Sequence, residues 1–350
     1  MRGLIILLFL AFCLYLFVNV EPQQIEQLIS NETNDKVEMV NEEEQTVIQS
    51  KVQSSNTRAG LSTFIGKTAD DVIENFGEPN RKDLSAYDYE WWIYNQDPEN
   101  YVQIGVEKGV VVTAFTTGTV NDNLPFQIGR TYEDLDEEFS FADSVTVMYE
   151  EGSYRFQIKE EELSTRPLIS VGDVFVQLYF DDVENTLSSV RYLNAETLLK
   201  QRPYELVYRG PLLEPKELSE EEWAIVEEGT AKQIIDHTNI IRNRFNLASV
   251  EWNEDTSAVA YLHSKDMKEG NYFSHTSPSA GSLSDRLMEG DVSFRYAGEN
   301  IAAKYVDGIA AVEGWLNSEG HRKTMLNERF THLGVGVYEK YYTQNFIETW

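Results

Sequence analysis

All five histidines of this 350-residue chain lie at or beyond His237. Imidazole is the side chain that exchanges a proton near neutral pH and binds metals most readily. The run Ser318-Glu319-Gly320-His321-Arg322-Lys323-Thr324-Met325-Leu326-Asn327 sets a histidine directly after a glycine. That placement lets the ring turn into a cleft, and the basic and apolar residues that follow read as one short helix. Three runs keep it company: Tyr272-Phe273-Ser274-His275, Gly298-Glu299-Asn300-Ile301 and Thr331-His332-Leu333-Gly334-Val335-Gly336-Val337-Tyr338. Other chemistries lack support. Cys13 is the only cysteine, so a disulfide within the chain, a thiol metal site and a Cys-His catalytic pair are excluded. None of the serines of 274–284 sits in a Gly-x-Ser-x-Gly elbow, and the loop reads as a flexible cleft rim. Gly334-Val335-Gly336 lies in a strand pattern with no helix after it, so it is no phosphate loop.

These motifs, in this order, resemble the CAP superfamily (cysteine-rich secretory proteins, antigen 5 and pathogenesis-related proteins), in its bacterial form without disulfides. The resemblance covers roughly residues 229–350. It implies an α-β-α sandwich with a central cleft that holds two histidines and acidic residues and, in several members, a divalent cation. Carried over by motif, His275 and Glu299 are the first pair and His321 the second histidine. Two neutral imidazoles and a carboxylate would make a three-ligand metal site with open positions for water. Such a site suits Zn²⁺, with Ca²⁺ or Mg²⁺ as alternatives. Metal-bound water would support hydrolysis, and without metal the same groups would form an acid/base pair. The family's second acid is a glutamate before the second histidine; here Glu319 and Ser318 compete for its role, with Glu313 a more distant third. His263 is expected to be structural, with cleft lining second, His332 structural, and His237 at the surface. Asn300 should order the backbone around Glu299, and Arg322 should pair with a carboxylate.

The elements that must carry these groups follow from periodicity. Residues 229–246, 256–270, 284–288 and 306–317 read as helices, 247–253 as an extended connector, and 331–339 with 342–347 as closing strands.

The front of the chain is of another kind. Residues 229–350 hold 12 Lys/Arg and 16 Asp/Glu, so −26 of the net charge of −30 falls on residues 1–228. With no basic patch to release counterions, nucleic acid is not an expected partner. Arg2 followed by the apolar run 4–18 reads as an export signal over 1–20, either an uncleaved membrane anchor or a cleaved signal peptide. Residues 21–59, rich in Glu, Gln, Asn and Ser, read as a polar stalk. The pairs Ile65-Gly66 and Ile128-Gly129 lie 63 residues apart, and each leads into a Thr-capped acidic helix followed by strands. This reads as a tandem repeat of a helix-plus-antiparallel-sheet unit, near 61–122 and 125–202. The whole of 60–202 resembles the CAP-associated N-terminal domain of exported Bacillus-type proteins. Tyr89, Trp91, Trp92 and Tyr94 form an aromatic strand, read as core packing with a glycan or peptide platform as the alternative. Residues 203–228, with three prolines and a glutamate run, read as a linker.

The expected fold class is therefore α+β: a C-terminal sandwich preceded by two small helix-plus-sheet units. The expected protein lies outside the cytoplasm. Its His/Glu cleft is expected to bind a divalent cation and an envelope-derived peptide, glycan or lipid, with hydrolysis as the sharper version. A non-enzymatic module acting through the acidic N-terminal units is the rival.

Overall fold

The computed structural model describes residues 37–39, 58–119 and 124–350. The expected export segment over 1–20 and most of the expected stalk lie outside them. Among the described residues no helix is long and apolar enough to cross a membrane.

In chain order the front carries β1 (Val37–Met39), α1 (Ala69–Phe76), β2 (Arg81–Leu84), β3 (Glu90–Tyr94), β4 (Val102–Glu107) and β5 (Val110–Thr116). It continues with α2 (Tyr132–Phe139), β6 (Ser144–Tyr149), β7 (Gly152–Gln157), α3 (Glu160–Thr165), β8 (Leu168–Val171), β9 (Val174–Asp181), β10 (Thr186–Leu193), α4 (Ala195–Gln201) and β11 (Glu205–Arg209). The back carries α5 (Glu220–Arg244), β12 (Glu251–Trp252), α6 (Glu254–Glu269), α7 (Leu283–Glu289), β13 (Tyr296–Ala303), α8 (Gly308–Leu316), α9 (Glu319–Met325), β14 (His332–Tyr338) and β15 (Tyr341–Glu348).

Two acidic helices open the front, each capped by a threonine that accepts the N–H three residues on, Thr68 from Asp71 and Thr131 from Asp134. Both are seated alike. Gly66 N–H donates to Val111 O at 2.8 Å and Gly129 N–H to Leu187 O at 2.9 Å, each on the second strand of a hairpin. Those hairpins, β4–β5 and β9–β10, join along β5 and β10 into one seven-stranded sheet, β2-β3-β4-β5-β10-β9-β8. A second sheet, β1-β11-β7-β6, packs beside it. Its β1 and β11 fall where a stalk and a linker were expected. Both segments are short and bounded by polar or proline-rich sequence, so composition alone hides them; Tyr204 and Leu206 are nonetheless buried. The linker expectation fails a second time at α5. Ser219 caps that helix with Glu222 in a reciprocal capping box, so the glutamate run is its first turn, where acids suit the helix dipole.

The back is the expected three-layer sandwich. Its sheet runs β12-β14-β15-β13, leaving β13 as an edge strand. One face buries Ile234, Trp315, Met325, Val335 and Phe346 against α5, α8 and α9. The other packs Val259, Leu287 and Ile347 beneath α6 and α7. The helix α6 lies almost on the sheet backbone: a Cβ on Gly336 would stand 1.9 Å from Tyr261 N, and one on Gly334 2.3 Å from Ser257 N. Only glycine permits that approach, and Ser264 Oγ then donates to Gly336 O at 2.9 Å.

Front and back share a buried boundary. Trp91, Phe115 and Tyr179 of the seven-stranded sheet, with Tyr89 just before β3, pack on Ile240 of α5 and Ile309 of α8. The next ring along β3, Trp92, faces the opposite core. The aromatic strand is thus packed on both sides, and its rings are not a ligand platform. Polar pairs cross the same boundary: Arg191–Asp307 at 2.8 Å, Arg322–Asp181 at 2.8 Å and Arg81–Asp236 at 3.0 Å. His237, expected at the surface, is completely buried there, 3.1 Å from Glu313 and edge-on to Phe115. Its polar helix neighbours misled because the face of α5 that carries it is covered by another domain.

Candidate functional site

The edge strand β13 brings Glu299 to the sheet margin, where the loop after α6 and the short helix α9 meet it. His275 lies on that loop. Its Nδ1 is 2.9 Å from Glu299 Oε1. An ionised carboxylate only accepts, so Nδ1 is the donor in this hydrogen bond and Nε2 has no part in it. The second oxygen of Glu299 accepts from the Arg286 guanidinium on α7. Arg286 also donates to His275 O and Gly281 O, both at 3.0 Å. Arg286 and Glu299 are almost fully buried, with side chains 5% and 3% exposed, whereas the His275 ring is 54% exposed. A guanidinium, a carboxylate and an imidazole therefore run in sequence from the interior to an open ring edge.

His321 approaches from α9 on the far side of the strand. Its ring centroid is 6.3 Å from that of His275, and its Nδ1 is 2.8 Å from Ser318 Oγ. Burial, helped by the nearby His275, lowers its pKa from 6.5 to about 4, so the ring is neutral at physiological pH. Asn300 Nδ2 donates to His321 O at 3.1 Å and to Gln344 at 3.1 Å. Asn300 therefore orders the helix of the second histidine, rather than the backbone around Glu299. His263 is buried beneath the site, its Nε2 3.0 Å from Ser274 O and 4.0 Å from Glu299; burial lowers its pKa also.

The contenders for the second acid separate cleanly. Ser318 takes the place beside His321. Glu319 is exposed and paired with Lys323 one turn along the surface. Glu313 lies at the boundary between front and back, beside His237 and Ser188. His332 is paired across β12 with Glu251 at 3.7 Å. The loop read as a flexible rim is tied down: Ser277 Oγ donates to Asp266 at 2.6 Å and its backbone bridges Gly281. Arg286 is the member of this candidate site that sequence reasoning missed. Its signal was faint, an arginine on the inner side of a seven-residue helix.

A three-ligand metal site does not fit this arrangement. Both Glu299 oxygens are engaged, and among the described residues no three His, Cys, Asp or Glu side chains are grouped to hold a metal ion. The free donors are the two imidazoles. Glu299 fits as the carboxylate that orients a ligating histidine through its other nitrogen.

Comparisons with known proteins give the family of the chain. Residues 65–204 match the CAP-associated N-terminal family and residues 235–350 the Cysteine-rich secretory protein family. Bacillus subtilis (strain 168) YlbC, described as an uncharacterized membrane protein, is 49% identical over 350 residues, covering 100% of this chain and 99% of that one. The chain belongs to the CAP superfamily. A crystal structure of an extracellular protein containing an SCP domain from Bacillus anthracis str. Ames is 45% identical. It covers 89% of this chain and 100% of that one, with a TM-score of 0.80. A cysteine-rich secretory protein from Staphylococcus aureus Mu50 shares the fold at 22% identity and a TM-score of 0.74, over 85% of this chain and 97% of its own. The similarity to YlbC and to the Bacillus anthracis protein spans both regions of the chain, so the CAP domain and the N-terminal domain occur together in these relatives.

Proposed function

We propose that this CAP protein works outside the cytoplasm, held to the membrane by its N-terminal apolar segment. Its cleft binds an envelope-derived peptide, glycan or lipid between the imidazoles of His275 and His321. The descriptions of YlbC as a membrane protein and of the Bacillus anthracis relative as extracellular support the location. The observation that carries the site is the Arg286–Glu299–His275 sequence. The buried ion pair orients the ring through Nδ1 and leaves Nε2 of an exposed imidazole as a base or ligand. Glu299 stabilises the imidazolium if that ring takes a proton from a bound group. His321, neutral at physiological pH, offers a second nitrogen across the cleft without a second positive charge. Both Glu299 oxygens are engaged, and calcium and magnesium take oxygen ligands, so zinc is the divalent cation that the finer part of the proposal names. His275 and His321 would hold it, and it would make bound water acidic enough to attack an ester or amide.

The test is capture of defined envelope fragments (muropeptides, teichoic acid chains, phospholipid vesicles) by the full-length protein. Binding or cleavage of one class, lost in His275→Gln and weakened in Glu299→Gln with folding intact, is the expected result. Undiminished capture by both variants would remove the cleft from the function.

A further inference from the structure

The two imidazoles are not positioned by the CAP domain alone. His275, Glu299 and Arg286 hold one another within it, but the stretch that carries His321 is gripped by the other domain on both sides. Just before the helix α9, the Asn317 amide faces the end of β9: its Nδ2 donates to Phe180 O at 2.7 Å, and its Oδ1 accepts from Asp182 N–H at 3.0 Å. Just after His321, Arg322 donates to Asp181 at 2.8 Å and lies 3.6 Å from Glu184. Asp181 is a prepared partner, because its carboxylate also accepts the N–H groups of Val183 and Glu184 at 3.0 and 3.1 Å and so shapes the β9–β10 turn. The pair is nearly dry, with side chains 11% and 6% exposed. Meanwhile Ser318, at the N-cap position of α9, makes no side-chain capping bond to the helix backbone; its hydroxyl is on His321 instead. A seven-residue helix without that cap has little stability of its own.

We propose that the β9–β10 hairpin tip of the N-terminal domain is a positioning clamp for His321, with Asp181 and Asn317 as positioning residues. The N-terminal domain thereby sets the separation of the two cleft histidines. The inference rests on the reading of His321 as a cleft residue, but its test needs no ligand. Asn317 and Asp181 touch neither imidazole, so any effect on His321 must travel through the backbone of α9.

The experiment compares full-length wild type with Asp181→Asn, which keeps the turn-forming acceptor and removes the charge, and with Asp181→Asn/Asn317→Ala. Two signals are read: imidazole NMR resonances of His321 and His275 at one pH, and amide hydrogen exchange across the CAP domain. The clamp predicts a moved or broadened His321 resonance and an unmoved His275 resonance. It also predicts exchange at 320–325 faster by at least tenfold in the double variant, less so in the single one, with α6 and β13 unchanged. Unaltered His321 and α9 signals would overturn the proposal. So would uniform acceleration across the domain, which is plain loss of stability. Neither outcome bears on whether the cleft takes an envelope ligand, so failure of the clamp and failure of the proposed function are told apart.

Discussion

At the scale of single residues, Glu299 is the hinge of the site. It is buried between a guanidinium and an imidazole, so removing the guanidinium leaves a carboxylate without compensation. Arg286→Met should cost about 3–5 kcal/mol in denaturant unfolding, as for other broken buried pairs; a loss below about 1 kcal/mol would mean that His275 alone balances the charge. His321 makes a pH prediction. Its folded value of about 4 lies below the unfolded 6.5, so as pH falls the unfolded chain binds the proton first. Its contribution is complete above pH 6.5 and is lost as pH drops toward 4, by on the order of 3 kcal/mol. His321→Gln should flatten that part of the stability profile when unfolding is measured at pH 7.5, 5.5 and 4.5. The residues of the cleft were legible because histidines are few and each sits in a distinctive run. Arg286 was not, because an arginine in a short helix reads as surface until the carboxylate it neutralises is known.

At the scale of elements, the two glycine settings in the motifs differ in kind. Gly336 is required by packing, since a Cβ there would strike the backbone of α6. Gly336→Ala should destabilise by about 1–3 kcal/mol or more by forcing helix and strand apart. Gly320, next to His321, has open space where a Cβ would stand. Gly320→Ala should leave stability unchanged or raise it by up to about 1 kcal/mol, as alanine favours a helix. Thermal unfolding of the two variants side by side checks both. The helices of the back and its closing hairpin could be read from periodicity. The strand β13 could not: Gly-Glu-Asn has no alternation of apolar residues, because Glu299 and Asn300 are buried through polar partners rather than through hydrophobic contact. The strand β11 and the first turn of α5 escaped for a related reason. Proline and glutamate dominate the composition there, while capping and pairing decide the structure.

At the scale of the whole molecule, the sequence was right about two kinds of chain and silent about how they join. Charge and histidine content divide front from back, yet the boundary is held by buried pairs whose partners are more than a hundred residues apart. Arg191 is fully buried against Asp307, and Asp307 also caps α8 by accepting Ala310 N–H at 3.1 Å. Asp307→Ala should strand the guanidinium and remove the cap together, at a cost of about 4–6 kcal/mol. In calorimetry the wild type should unfold in one transition, whereas the variant should lose its C-terminal domain first. A variant that still unfolds in one transition at the wild-type temperature would show the boundary to be dispensable.

The two imidazoles act as one ligand-binding pair in the proposed function. The most direct measurement is calorimetric titration of defined envelope fragments (muropeptides, teichoic acid chains, phospholipid vesicles) into the full-length protein and into its His275→Ala/His321→Ala variant, with circular dichroism to verify that the variant is folded. Saturable binding of one class by the wild type, and none by the folded variant, is the predicted result. No binding, or equal binding by both proteins, would contradict it.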